Sequence, residues 1–447
     1  MKNLLKAMLF SFFLLIPITA NASTLDEVKS LIKAEYVGNI NGSLQNASSI
    51  EEVMDMLDAY STFFTAAEFE KYINSIEMTS VGIGVVVEKH DKGVLIKEVI
   101  EGGSAHKAGI KSGQIIVSIN GQSTVPMSIQ EATSLIMGEQ NTSVRLGILH
   151  NGQTKMMTLI RQPFSIPNVT TKLLYGNIGF IHLSSFSEDA AKLVKKAFNE
   201  LKSQGATSFI LDVQDNGGGY VTAAEQLIGM FPKSPYAYKL QTATGTTKYN
   251  SSFQPTKFPT DTRVLVNRFS ASASEMLAAA LVDQKSAVVY GEKTYGKGTM
   301  QGFFELSDGS YLKLTVGKFS GPNGSAINEV GVKPHITTTT PIMTAHFDSL
   351  VGKFKLYRAL PAVTVKESKT VTLSYSQLLA SKLPASSIEL VALGSEAVPI
   401  KVVQKNKQLV ITTTELLAEQ TQYMLIIHPA ALKDSKTKGQ YVHITVN

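Results

Sequence analysis

The stretch that most restricts the fold is SFILDVQDNGGGY, residues 208–220. A strand pattern at 208–213 ends at three consecutive glycines, and an apolar helical pattern follows from Thr222 to Phe231. Glycines at a strand-to-helix turn can aim backbone N–H groups at a negative charge. The alternatives are a simple tight turn and a phosphate loop, although the Gly-Lys-Ser/Thr spacing of the phosphate loop is absent from the sequence.

Further along the chain, the serine-rich run SASASE, residues 270–275, opens an apolar helix. Ser272 followed three residues later by Glu275 is a capping box, which would explain both residues structurally. The same run can instead hold a nucleophilic serine. A serine hydroxyl is a weak nucleophile at neutral pH, so this second interpretation requires a base nearby.

The segment YGKGTMQ, residues 295–301, offers such a base in Lys297. A lysine between two glycines is also typical of a turn with a solvated side chain. A lysine whose pKa is lowered by burial can take the proton of a serine, however, and the flanking glycines would allow close approach. Gln301 lies four residues beyond Lys297, which returns its side chain to the same face of a strand, where it can orient the amine.

Taken together, these motifs resemble the carboxyl-terminal processing (tail-specific) peptidases, serine proteases with a Ser/Lys catalytic pair and an inserted PDZ domain. The resemblance extends over roughly residues 50 to 340. It is carried by several motifs in the family's order: Leu57-Asp58 with Ser61, 178–186, 211–219, 270–275, 291–301, 314–316 and 331–334. The chain departs from the family's pattern at Ala59-Tyr60, Gln214 and Pro334-His335.

The resemblance implies roles for particular residues. Ser272 would be the nucleophile, because it lies 25 residues before the lysine that matches the base. Ser270 and Ser274 would then be structural. The remaining roles would fall on Lys297 as general base, Gln301 as the residue that positions it, and the N–H groups of Gly218 and Ala273 as the oxyanion hole, with Gly219 as the alternative to Gly218.

The resemblance also implies a multidomain α/β fold: a crotonase-like spiral ββα protease core, interrupted by the PDZ domain, preceded by helices and followed by an Ig-like β-sandwich. We place the PDZ domain at 79–164, where VGIGVVV, residues 81–87, begins an alternating pattern. The same pattern fits other β domains. In a PDZ domain, Gly82, Ile83, Gly84 and Val85 would bind a peptide's C-terminal carboxylate while the peptide pairs as an extra strand.

The first 78 residues contain two different sequence patterns. Residues 1–22 have the lysines, the apolar stretch and the Ala-Asn-Ala cleavage site of a signal peptide, with a retained anchor as the alternative. We therefore expect an exported, extracytoplasmic protein of the periplasm, the cell wall or the medium. Residues 23–78 predict amphipathic helices at Leu25–Glu35, Ile50–Leu57 and Ala66–Ile73. In the resembled family, such segments pack on the core or mediate homodimers.

The protease core is predicted at 165–340, a linker at 341–362 and an Ig-like β-sandwich at 363–447, where short alternating strands recur. This last region fits either an inert spacer or a domain that contacts the cell envelope. The resemblance implies a serine endopeptidase that recognises protein or peptide substrates with free C-termini and cleaves them near that end. The alternatives are a catalytically silent PDZ/Ig-like scaffold and another crotonase-like enzyme, for which no acyl-CoA site is evident in the sequence.

The amino-acid composition excludes several kinds of chemistry and argues against several kinds of partner. The chain has 447 residues and no cysteine, which excludes disulfides and thiol catalysis. Its net charge of +6 comes from scattered basic residues, so we expect no nucleic-acid partner. The eight histidines have no metal-ligand spacing, and we expect neither metal nor cofactor. His182, within an apolar strand, is interpreted as structural.

Overall fold

The computed structural model describes residues 23–375, 377, 379–384, 386–434 and 438–447. The predicted signal peptide, 1–22, lies outside the described residues. The described chain divides into two compact units. The smaller unit contains 23–73, 240–247 and 299–318, and the larger contains 74–239, 248–298 and 319–447.

The N-terminal segment contains each of the predicted helices. Its elements are α1 (Thr24–Glu35), α2 (Ile50–Asp55), β1 (Thr62–Phe64) and α3 (Ala66–Ile76). Serines begin the first two helices: the hydroxyl of Ser23 accepts from the Asp26 N–H, and that of Ser49 accepts from the Glu52 N–H. Acidic residues in the first turns favour the same starting points.

The predicted PDZ segment is an antiparallel sheet with two helices. Its elements are β2 (Thr79–Gly82), β3 (Val85–His90), β4 (Gly93–Val99), α4 (Ser104–Lys107), β5 (Ile115–Ile119), β6 (Gln122–Ser123), α5 (Ile129–Ile136), β7 (Ser143–His150), β8 (Gln153–Ile160) and β9 (Gln162–Ser165). The sheet runs β3-β4-β5-β7-β8, with β6 beside β5. β2 and β9 form a separate two-stranded ribbon at the points where the chain enters and leaves this segment.

The next part of the chain contains the strand-to-helix turns that carry the sequence motifs. Its elements are β10 (Val169–Leu174), β11 (Ile178–Leu183), α6 (Ala190–Ser203), β12 (Ser208–Asp212), α7 (Val221–Gly229), β13 (Tyr236–Thr242), β14 (Gly245–Asn250), β15 (Arg263–Val266), α8 (Ala273–Gln284), β16 (Val288–Gly291), β17 (Thr299–Glu305), β18 (Tyr311–Ser320), β19 (Ile336–Thr337) and α9 (Pro341–Lys353).

The central sheet of the larger unit runs β10-β11-β12-β15-β16-β19. β10 is antiparallel to β11, and the later pairs are parallel. The carboxyl ends of parallel strands meet at one edge of the sheet. The glycine triplet, residues 217–219, follows β12, and the serine run, residues 270–275, follows β15. This edge of the sheet therefore brings the two motifs together.

The smaller unit has its own core. Its sheet contains β1, β17 and β18, with the ends of β13 and β14. Helices α1 and α2 pack on this sheet through Val28, Ile32 and Val53, which meet Leu312 and Leu314 of β18.

The C-terminal region is rich in strands. Its elements are β20 (Arg358–Ala359), β21 (Val363–Val365), β22 (Thr370–Ser374), β23 (Ile388–Ala392), β24 (Ala397–Val398), β25 (Ile400–Lys405), β26 (Gln408–Thr413), β27 (Gln422–Ile427), a 3-10 turn at Pro429–Ala431, and β28 (Gln440–Val446). One sheet runs β20-β28-β27-β23-β24, with β21 beside β28, and the other runs β22-β26-β25. Both sheets contribute to a single hydrophobic core. The Ig-like assignment stays a prediction.

The segment 341–362, predicted as a linker from its composition, differs from that expectation. Helix α9 occupies its first part, and Ala345, His346 and Leu350 are fully buried. This helix lies in a core shared by the central sheet and by β23 and β27. The apolar residues of α9 bury only against distant segments, so a local composition boundary at the preceding threonines did not reveal the helix. In the described part of the chain, no helix is long and apolar enough to cross a membrane.

Candidate active site

Ser272 occupies the turn that begins helix α8, immediately after the loop that follows β15. Its backbone has φ 55° and ψ −111°, a combination that non-glycine residues rarely adopt. Such strained conformations persist only where the surrounding structure enforces them, and they cluster at functional sites. Ala273 is the first residue of α8, so its N–H has no acceptor within the helix and lies at the positive end of the helix dipole.

The hydroxyls of the two neighbouring serines, Ser270 and Ser274, hydrogen-bond to backbone carbonyls. Ser270 is fully buried, and its hydroxyl donates to the Val213 carbonyl at 2.7 Å. The Ser274 hydroxyl, also fully buried, donates to the Asn216 carbonyl at 2.8 Å. Ser272 is half-buried. This supports the expectation that Ser270 and Ser274 are structural and leaves Ser272 as the candidate nucleophile.

A buried carboxylate joins the serine segment to the lysine segment. Oε2 of Glu275 accepts from the N–H groups of Ser272 at 2.9 Å and Lys297 at 2.8 Å. Its Oε1 accepts from the Gly296 N–H at 2.6 Å and from the Thr294 hydroxyl at 2.6 Å. Glu275 is fully buried, so these charge-assisted bonds hold the two backbone segments together in an environment where hydrogen bonds are strong.

The capping-box interpretation therefore identified Glu275 correctly, but only one of the four contacts that its carboxylate makes. The Ser272 N–H does donate to Glu275, as in a capping box. The contacts to Lys297, Gly296 and Thr294 connect residues far apart in sequence. Two features of the sequence could have indicated these contacts. One is the acidic residue Glu275 among the apolar residues of helix α8, and the other is a glycine-rich segment whose backbone N–H groups need acceptors.

Lys297 is half-buried, and the glycines on either side serve a backbone contact. A Cβ at Gly298 would lie 2.4 Å from the Asn328 nitrogen, and one at Gly296 would lie 3.2 Å from the Gly331 nitrogen. The Gly296 carbonyl accepts from the Glu329 N–H at 2.7 Å. Segment 328–331 therefore packs against residues 296–298, named here the lysine loop, and restricts where the backbone of Lys297 can lie.

The glycine triplet lies directly against Ser272. Gly218 and Gly219 have φ of 105° and 144°. A Cβ at Gly218 would lie 2.8 Å from the Ser272 Cβ and 3.0 Å from the Ala273 nitrogen. The structure thus brings together the two predicted oxyanion donors. In this conformation, however, the Gly218 N–H donates to Oδ1 of Asn216 at 2.9 Å.

Gln301 belongs to the smaller unit, whereas Lys297 belongs to the larger one. Its side-chain amide donates to the hydroxyls of Thr299 at 2.9 Å and Thr315 at 3.3 Å. The pairing of β17 with β18 shifts register between Met300 and Gln301. Its role towards Lys297 stays a prediction.

His182 has a structural partner. Its Nδ1 lies 3.2 Å from Oδ2 of Asp212 on the neighbouring strand, and this hydrogen bond raises the histidine pKa above its usual value. Oδ1 of Asp212 accepts from the Gln214 N–H at 3.0 Å. These contacts fit the structural interpretation. Among the described residues, no group of three or more histidine, cysteine or acidic side chains could hold a metal ion.

The predicted peptide-binding loop, Gly82 to Val85, lies between β2 and β3. The Ile83 side chain is 1% exposed and belongs to the core of the domain, so only its backbone is available to a ligand. Its carbonyl already accepts from the Ala105 N–H at 2.8 Å, and the Gly84 carbonyl accepts from the Ile100 N–H at 3.0 Å. β3 is an edge strand with α5 packed beside it, which leaves one side of the strand open to pairing.

Comparisons with known proteins identify the family. The model of peptidase family S41 matches residues 177–338, and a PDZ domain model matches residues 95–149. The carboxy-terminal processing protease CtpA of Bacillus subtilis is 32% identical over 320 residues, covering 71% of this chain and 69% of that one. A probable CtpA-like serine protease of Staphylococcus haemolyticus is 31% identical over 331 residues, covering 71% and 66%.

Among solved structures, the photosystem II D1 C-terminal processing protease aligns with a TM-score of 0.46 and 25% identity, covering 74% of this chain and 96% of that one. The family models and the similarity to the Bacillus protease show that the chain belongs to peptidase family S41, as a serine-type carboxy-terminal processing peptidase with a PDZ domain.

Proposed function

We propose that the protein is an exported endopeptidase that cleaves near the C-terminus of protein substrates, with Ser272 as nucleophile and Lys297 as general base. The observation that carries this proposal is the buried Glu275 carboxylate, because one of its oxygens accepts from the N–H groups of both residues. If Glu275 only capped helix α8, it would not need the hydrogen bond from the Lys297 N–H. A carboxylate that holds both backbone segments fixes the positions from which the two side chains extend, which supports the proposal that the serine and the lysine act as a unit.

The chemistry follows from these roles. A neutral Lys297 amine takes the proton of Ser272 as the hydroxyl oxygen attacks the substrate carbonyl carbon. When the tetrahedral intermediate collapses, the peptide C–N bond breaks and the lysine returns that proton to the leaving amine. Water then attacks the acyl-enzyme with lysine as base, which releases the new carboxylate and restores the serine.

The tetrahedral intermediate carries an oxyanion that needs backbone donors. The Ala273 N–H is suited to this because it is unpaired within α8 and at the positive end of the helix. For Gly218 to contribute, its N–H must exchange Oδ1 of Asn216 for the substrate oxygen. We propose that Gln301 orients the Lys297 amine.

Substrate recognition is assigned to the PDZ domain. An extended tail would pair with the open side of β3, while backbone groups of Gly82, Ile83, Gly84 and Val85 receive the terminal carboxylate. Tail binding would then shift the active site towards its competent conformation. The signal-like residues 1–22 support an extracytoplasmic location. Homodimerisation and an envelope contact through an Ig-like C-terminal domain are further parts of this proposal.

The dyad is tested with unstructured peptides bearing free C-termini. Ser272→Ala and Lys297→Ala should each abolish cleavage, and the double variant should be no worse than either, since the residues act together. Ser270→Ala, which removes a buried structural hydroxyl, should retain catalysis. Glu275→Gln keeps the shape of the side chain but turns a donor towards N–H groups, so kcat should fall by roughly 10- to 100-fold.

Substantial turnover by Ser272→Ala would contradict this assignment. The catalytically silent scaffold predicts that the wild type binds free C-termini without cleaving any peptide. A matched control is Glu292→Gln, which changes a half-buried glutamate just before the lysine loop and should leave kcat unchanged.

A further inference from the structure

The chain enters and leaves the PDZ domain through two connections, both of which belong to the larger unit. The first, 74–78, leads into β2, and the second, 166–168, leads out of β9. They contact each other, because the Ile166 N–H donates to the Met78 carbonyl at 2.7 Å. Both also contact residues 184–187, which follow β11 and are named here the 184–187 segment.

Buried side chains fasten this segment to the two connections. The Ser185 hydroxyl donates to the Ile76 carbonyl at 2.7 Å. Oδ1 of Asn168 accepts from the Ser185 N–H at 2.8 Å, and its Nδ2 donates to the Ser185 carbonyl at 3.0 Å and the Ser187 hydroxyl at 2.7 Å. Asn168 is 6% exposed and Ser185 is 7% exposed, so breaking these bonds without replacement is costly.

On its other side, the 184–187 segment holds the glycine triplet. The Phe186 N–H donates to the Gly218 carbonyl at 2.9 Å, and the Tyr220 N–H donates to the Phe186 carbonyl at 2.8 Å. The backbones are so close that a Cβ at Gly219 would lie 2.3 Å from the Phe186 carbonyl oxygen. Phe186 itself is fully buried. The glycine triplet therefore cannot shift unless the 184–187 segment shifts too.

A second contact links the first connection to Tyr220, the residue after the glycine triplet. The Glu77 carboxylate hydrogen-bonds the Tyr220 side chain and accepts from the Glu188 N–H at 3.3 Å. Burial, with Glu188 and Asp189 nearby, raises the pKa of Glu77. Tyr220 directly follows the glycine triplet. Both routes thus end at the loop whose Gly218 N–H is held by Asn216 in this conformation.

We infer that the 184–187 segment transmits the position of the two PDZ connections to the glycine triplet, with Ser185 and Asn168 as positioning residues for Gly218. When the connections move, the segment moves the triplet between the Asn216-bonded arrangement and one in which the Gly218 N–H faces the substrate carbonyl. This inference rests on the proposed function and names the residues through which the PDZ domain would control the oxyanion donor.

A first experiment needs no peptidase activity, so it separates this inference from the proposed function. Amide hydrogen exchange is compared in the wild type, Asn168→Ala and the control Ser286→Ala. Ser286 is a similarly buried serine whose hydroxyl bonds Ser234. We expect Asn168→Ala to accelerate exchange at 217–221 by at least tenfold and Ser286→Ala to leave it unchanged. Faster exchange confined to 166–187, or no change in Asn168→Ala, overturns the inference.

A second experiment measures the ratio of kcat for a free-acid substrate to kcat for its C-terminally amidated form. A merely structural loss lowers both values equally and leaves the ratio unchanged. We expect Ser185→Ala to bring the ratio several-fold closer to one and Ser286→Ala to preserve it. An unchanged ratio in Ser185→Ala overturns the inference, as does a wild-type ratio of one. A wild type that cleaves neither substrate contradicts the proposed function and leaves the exchange experiment to decide.

Discussion

At the residue scale, two adjacent glycines differ in what the structure requires of them. Gly218 has a φ of 105°, and an added Cβ would lie 2.8 Å from both the Ser272 Cβ and the Ala271 carbonyl oxygen. Gly217 has no heavy atom within 4 Å of an added Cβ among the described residues outside its own chain neighbours. The pair therefore offers a matched test of how closely the glycine triplet must approach Ser272, the proposed nucleophile.

We expect Gly218→Ala to reduce kcat by roughly 100-fold or more, because the new methyl group displaces Ser272 or the triplet and the backbone angle is strained. Gly217→Ala should keep kcat within about threefold. Peptide cleavage rates and melting temperatures of both variants provide the measurement. Equal activities would show that the triplet does not need to contact Ser272.

At the element scale, local patterns predicted much of the fold. Apolar periodicity predicts helices α1, α2, α3 and α7, the capping box predicts the start of α8, and the apolar run of β27 predicts a strand. Helix α9 was missed because its buried face is defined by segments far away in sequence. The same holds at the site, where Glu275 binds the Lys297 backbone and Asn168 binds Ser185. Such contacts have no local signature.

Strand β27 shows why the C-terminal region is more than an appended module. Tyr423, Leu425 and Ile427 face the core between the two C-terminal sheets. The alternate residues, Met424 and Ile426, face the core that contains α9 and the central sheet. Because successive side chains of a strand point to opposite faces, one strand is buried on both. The C-terminal region thus covers a face that the central sheet and α9 would otherwise expose.

Met424→Ala tests this burial. Met424 is fully buried, so truncation should cost about 2 to 5 kcal/mol and lower the temperature at which peptidase activity is lost. Val403→Ala, at a side chain that is 51% exposed, should change stability by less than about 0.5 kcal/mol. If the inactivation temperature of Met424→Ala equals that of the wild type, the C-terminal region unfolds without affecting the catalytic core.

At the scale of the whole molecule, one histidine connects the central sheet to the C-terminal strands. His346 on α9 is fully buried, its Nε2 donates to the Tyr175 carbonyl at 2.9 Å, and its Nδ1 accepts from the Gly394 N–H at 2.8 Å. These two bonds require the neutral ring with the proton on Nε2. Burial lowers the pKa of His346 to about 4, and the positive charge of Lys172 acts in the same direction.

The lowered pKa makes stability depend on pH with a defined sign. Between about pH 4 and 6.5, the unfolded chain binds a proton at His346 that the folded chain excludes. Stability from this residue is therefore present above pH 6.5 and is lost as the pH falls towards 4, by on the order of 2 kcal/mol at pH 5. His346→Gln removes the titration, so its stability should fall less between pH 7.5 and 5 than that of the wild type. Urea unfolding of both proteins at the two pH values measures the difference, and equal losses would contradict the prediction.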